Sequence, residues 1–214
     1  MKSDAQLKQD VLEELKWEPA VSAELIGVEV KEGIVTLAGH VNSFPEKWHA
    51  EQAAQRVSGV KALAVEMDVK LTGFSKRTDA DIAASAENAL QWLSKDTVKV
   101  MVENGWITLT GEVDWEYQRQ IASGGVRYLI GVTGVSNKIE IKPKASIRAA
   151  KSDIEAALKR RATARAHEIN VEIKGTDVTL TGTVHSWSER ELAKQTAWCS
   201  DGVQNVVDHT TLAS

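Results

Sequence analysis

The sequence predicts an α+β fold of three tandem α-β-β-α-β units, each a three-stranded sheet with two helices on one face. Three observations predict it. Short runs alternate apolar and polar residues at a period of two, the signature of half-buried strands, as in Val28, Val30, Val35 and Leu37. Runs with helical spacing separate them. The same order recurs with fixed punctuation: Gly39, Gly111 and Gly182 close the alternating pairs, and Gly59, Gly131 and Gly202, each followed by Val, stand twenty residues further on. A period of this size marks a repeat of whole supersecondary units. The expected units are residues 1–72, 73–143 and 144–214.

Each element has a local cause. Ser3 and Gln6 have capping-box spacing, and Leu7, Val11, Leu12 and Leu15 follow on one helical face until Pro19 stops the helix. Two strands over 27–32 and 34–40 turn at Glu32-Gly33. The matching turns are Asn104-Gly105, a strong tight-hairpin signal, and Gly175-Thr176, expected to turn less regularly. Val35, Leu37, Ile107, Leu109, Val178 and Leu180 should point inward, with Thr36, Thr108, Thr110, Thr179 and Thr181 on the opposite face. Such a face implies a sheet covered on one side only. Trp106 falls on the Thr side and is expected to be partly exposed or used between units.

The second helices open with Ser43 and Glu46 around Pro45, with Asp114, and with Ser186 and Glu189. Ala50, Ala122 and Ala193 predict close packing of these helices on their sheets. A last strand follows each late Gly-Val pair, as in Val135-Asn137-Ile139-Ile141. The other helices begin near Thr78 and Asp79, with Ile82 and Ala86, and after Lys144, with Ile147, Ile154 and Leu158.

Composition bounds the function. The 214 residues are 43% hydrophobic and 26% charged, a globular balance. The single Cys199 excludes an internal disulfide and predicts a buried or inert thiol. No run approaches the ~18 apolar residues of a membrane span. With Met1 as the start and no apolar signal core after it, the expected location is the cytoplasm, at most peripheral to the inner membrane, or the periplasm for a chain trimmed of a leader.

No motif for zinc, a nucleophile or a phosphate-cradling loop is present, and the five histidines share no repeat position. Asp79 and Asp81 could pair on a metal, but their place at a helix start favours capping. The net charge of −4 divides as −4, −1 and +1 over the three units. Lys144, Arg148, Lys151, Lys159, Arg160, Arg161 and Arg165 face only Asp153 and Glu155 in their stretch. Accompanied by Ile147, Ile154 and Leu158, they are the candidate contact for an anionic surface, against the plainer reading of a solvated helix face. The seven tryptophans suit boundaries between apolar and wet surroundings.

The hairpin endings at Val35–Gly39, Ile107–Gly111 and Val178–Gly182, the late Gly-Val pairs and the V-x-N-x-I run at Val135–Ile139 resemble the BON domain, named for bacterial osmotic-stress and nodulation proteins. The resemblance covers nearly the whole chain as three copies. It implies a bacterial, non-enzymatic, stress-associated binding protein without cofactors, with anionic phospholipid surfaces as the usual ligand. The alternatives it leaves are a cytoplasmic potassium-binding or chaperone-like osmotic-stress protein, or an unidentified protein partner. Nucleic acid is the less expected partner, and the oligomeric state is open.

Overall fold

In a computed structural model, the structure describes residues 2–93, 97–142, 154, 156, 169–200, 203 and 205–213. Unit one comprises α1 (Asp4–Trp17), β1 (Ile26–Lys31), β2 (Ile34–Val41), α2 (Phe44–Arg56) and β3 (Ala62–Val69). Unit two repeats this order with α3 (Asp79–Ala89), β4 (Val98–Glu103), β5 (Trp106–Val113), α4 (Glu116–Arg127) and β6 (Gly134–Ile141). Unit three contains β7 (Ile169–Lys174), β8 (Asp177–Val184), α5 (Trp187–Trp198) and β9 (Asn205–Leu212). Each unit keeps its own three-stranded sheet. The central strand pairs antiparallel with its hairpin partner and parallel with the strand that follows the helix.

The predicted inward residues are the core. Val35, Leu37, Ile107, Leu109, Val178 and Leu180 are fully buried, while their threonine neighbours stay partly or wholly exposed. Ala50, Ala122 and Ala193 are buried beneath the second helices, where a larger side chain would hold helix and sheet apart. Ile154 is also fully buried and joins the core of unit three. The conserved spacing of glycines has a steric cause at the hairpin end. Gly39 and Gly111 adopt φ of +135° and +124°, and a Cβ there would collide with the carbonyl oxygens of Leu25 and Thr97.

The hairpin turns differ in kind. Glu32-Gly33 and Asn104-Gly105 have positive φ at both residues, as a type I′ turn requires. In the third turn only Gly175 does, with φ of 68°, which still closes a two-residue turn. The first two turns are also clamped from the neighbouring helix. Asp4, in the first turn of α1, accepts hydrogen bonds from the amides of Glu32 and Gly33 at 2.7 and 3.0 Å. Asp79 does the same at the start of α3 for Asn104 and Gly105, at 2.9 and 2.8 Å.

Two expectations at the helix starts, and one at Cys199, need correction. The α2 and α5 boxes are not reciprocal: Ser43 and Ser186 accept from the amides of Glu46 and Glu189, but those carboxylates reach elsewhere. Glu46 instead accepts from Ser22 and Asn42, each at 2.9 Å, tying the strand entry to the helix. In α4 the cap position falls on Trp115 rather than Asp114, and the Gln118 carboxamide accepts from both amides at 3.0 Å. At the start of α3 the expected capping is present: Asp81 and Thr78 form a reciprocal capping box. Cys199 is exposed at the end of α5, so the thiol is not buried.

Candidate functional site

The second helices each have more than one working face. The alanine face packs on the sheet, and the next face, at i, i+3 or i+4, and i+7, turns toward the other units. In α2 that face carries Trp48, Gln52 and Gln55; in α4, Gln120, Ser123 and Arg127; in α5, Ser188, Glu191 and Gln195. The three faces meet around a groove of about 750 Å³. Apolar residues normally fill the space between packed helices. Here amides and charges line it instead.

Contacts across the groove join all three units. The guanidinium of Arg127 lies 3.9 Å from the ring centroid of Trp48. That of Arg119 lies 5.7 Å from the ring of Trp198. Gln195 donates to the Gln120 carbonyl at 2.9 Å. Trp187 packs against the core of unit one, and Phe44 against that of unit two. The indole N–H of Trp187 is buried with no hydrogen-bond partner among the described residues, an unusual state for a donor in a folded wall.

Charges in the groove are unevenly compensated. Glu116 is buried and holds Arg119 at 2.8 Å. Glu191 pairs with Lys194 at 3.1 Å, on its own helix. Arg127 has no carboxylate partner among the described residues; its neighbours are Trp48 and Tyr128. Burial lowers its pKa, and Tyr128 opposes that shift. A smaller cavity of about 310 Å³ adjoins at the junction of units one and two, with Phe44, Val65, Trp106 and Val135 on its apolar side. Trp48, Ser123 and Arg127 line both spaces. Burial raises the pKa of Glu51 in the smaller one, and nearby Lys47 partly offsets this.

A second surface feature is confined to unit two. Trp115, Tyr117, Ile121, Tyr128 and Ile130 are 40–58% exposed along and just beyond α4. Units one and three carry Ser43 and Ser186, Pro45 and Ser188, His49 and Leu192, Arg56 and Cys199, and Ser58 and Asp201 at those positions. The fold therefore does not require large apolar groups there. Gly124 and Gly125 lie in the same helix, and a Cβ on either would meet open space.

The BON domain model matches residues 3–70, 78–143 and 147–214. The chain belongs to the BON domain family. It is also similar to the Osmotically-inducible protein Y of Escherichia coli (strain K12), at 29% identity over 124 residues, 55% of this chain. The match takes in 62% of that relative's length, less than two thirds of it. Two solved chains of CdsD, a structural protein of the type III secretion system of Chlamydia trachomatis, align at 16% and 14% identity. They cover 96% and 100% of this chain, 91% and 100% of their own, with TM-scores of 0.25 and 0.26.

The BON assignment accounts for the repeat and its glycines. Gly39, Gly59, Gly111, Gly131 and Gly182 all sit at positive φ, as the repeat needs; Gly202 lies outside the described residues. Lys144, Arg148, Lys151, Lys159, Arg160, Arg161 and Arg165 lie outside them too. The structure thus neither gathers nor separates the basic residues singled out from the sequence. Among the described residues no group of three or more His, Cys, Asp or Glu is placed to hold a metal ion, and no helix is long and apolar enough to cross a membrane. Sequence reading missed the groove. Its only trace there is the amide spacing of Gln52 and Gln55, or of Gln195 after Glu191, on helices whose alanines already account for the core.

Proposed function

We propose that this BON protein is a non-enzymatic, osmotic-stress-associated binding protein that attaches reversibly to anionic phospholipid surfaces. The observation that carries the reading is the exposed aromatic and aliphatic stripe of α4, Tyr117, Ile121 and Tyr128 above all. Tyrosine and tryptophan rings suit the boundary between acyl chains and water, where an apolar body and a polar tip are both satisfied. The seven basic residues of 144–165 supply the electrostatic part. Each cation near an anionic bilayer contributes about 1 kcal/mol, so three or four acting together give weak, salt-sensitive attachment. The name of the Escherichia coli relative supports the link to osmotic stress.

Vesicle flotation tests this. The protein should float with phosphatidylglycerol-containing vesicles at low salt, and much less with phosphatidylcholine alone or at high salt. The double variant Tyr117→Ser/Ile121→Ser should lower recovery several-fold without changing the fold. Equal recovery with both vesicle types, indifferent to salt, defeats the proposal. Suppression of a client protein's aggregation without flotation would shift the reading to the chaperone-like alternative, and a potassium-specific rise in Tm without flotation to ion binding.

A further inference from the structure

The groove between the second helices has a composition that the lipid reading does not use. Four glutamine amides, Gln52, Gln55, Gln120 and Gln195, line it from all three units. Each carboxamide offers two N–H donors and a carbonyl acceptor side by side. Gln52 donates to Gln55 at 3.3 Å and Gln195 to Gln120 at 2.9 Å, so both pairs retain unused donors and acceptors. Adjacent hydroxyls of a polyol, each at once donor and acceptor, match such groups. The indoles of Trp48 and Trp187 add flat apolar surface to the same walls. Flat apolar surface of this kind suits the C–H side of a sugar ring.

Charge narrows the class further. Glu116 neutralises Arg119, and Lys194 neutralises Glu191, leaving Arg127 as the groove's uncompensated charge among the described residues. A guanidinium can offer a planar or tetrahedral anion two parallel N–H groups, and this one is held against the Trp48 ring. At about 750 Å³ the groove has the capacity of a small-molecule site.

We propose that the three-unit groove binds a small polyhydroxylated anion, a sugar acid or sugar phosphate, with Arg127 on the anionic group and the Gln52–Gln55 and Gln195–Gln120 amides on the hydroxyls. This goes beyond the lipid reading and does not depend on it.

Tryptophan fluorescence of the full chain reports on the site, because Trp48 and Trp187 line it. The probes are D-glucuronate, D-glucose 6-phosphate, D-glucose and inorganic phosphate. The first two should give saturable changes, and glucose and inorganic phosphate should bind at least tenfold more weakly. Arg127→Gln should abolish the preference of acid over glucose. Gln52→Ala/Gln195→Ala should weaken the sugar anions at least fivefold while leaving Tm within a few degrees. No saturable response to any probe overturns the proposal, as does a response that these variants leave unchanged. Inorganic phosphate binding as tightly as the sugar anions would reduce the site to an anion hole and overturn the polyol part. Flotation with Arg127→Gln should match the parent protein, so the two readings fail separately.

Discussion

Removing the Asp79 carboxylate should loosen unit two by an amount that the geometry sets. Asp79 accepts from the Asn104 and Gly105 amides at 2.9 and 2.8 Å, and it lies in the first turn of α3. These are charge-assisted bonds, but the Asn104 side of the turn is open to water, which can replace part of what is lost. We assign about 1 kcal/mol to each bond, below the 1.5–3 typical for charged groups. A further 0.3–1 kcal/mol or so comes from the helix dipole. The expected loss for Asp79→Ala is therefore roughly 2–3 kcal/mol. A domain of this size loses about 4–8 °C in Tm per kcal/mol, so unit two should melt roughly 10–20 °C earlier. Asp79→Asn keeps one acceptor and loses the charge, and should fall about halfway. Thermal melts followed by circular dichroism measure the shift, and hydrogen exchange at Asn104 and Gly105 localises it. A Tm within 2 °C of the parent, with those two amides equally protected, would refute the reasoning.

Two further outcomes follow from the same kind of reading. Asp208 is held below the usual carboxylate range: burial pushes its pKa up, but hydrogen bonds from the Thr210 hydroxyl and amide and from Arg190 outweigh that. Its stabilising contribution is therefore present above the unfolded carboxyl pKa and is lost as pH falls through the lowered folded value. Urea melts should show Asp208→Asn less stable at pH 7 by about 2–4 kcal/mol, since Arg190 is left mostly buried without its partner. The gap should narrow progressively below pH 4. Gly124→Ala and Gly125→Ala, in the last turn of α4 with open space for the new methyl, should each stabilise unit two by up to about 0.5–1 kcal/mol in the same assay.

What the sequence disclosed was whatever depends on neighbours along the chain. Strand faces, turn residues and the alanine-lined helix faces are local patterns, and Val35, Leu109 and Val178 are buried as their alternation implies. Glu46 shows where local reading stops. Its spacing from Ser43 suggests a reciprocal box, yet its carboxylate accepts from the Asn42 amide and from that of Ser22, twenty-four positions back, a donor that only the fold brings within reach. The groove was hidden for a stronger version of the same reason. Gln52, Gln120 and Gln195 look like solvated helix positions until three units approach one another, and no periodicity encodes that approach. The carboxylate clamp on the turns was misread as a simple cap at Asp79, since the spacing to Asn104 is long range.

Because Trp187 of unit three rests on the hydrophobic interior of unit one, first and last members of the series touch directly. A string of beads couples only adjacent members. This arrangement closes on itself like a tripod. Cutting the chain between any two members would still leave the outer pair in contact, and a stress that pries one leg away must strain both of the others.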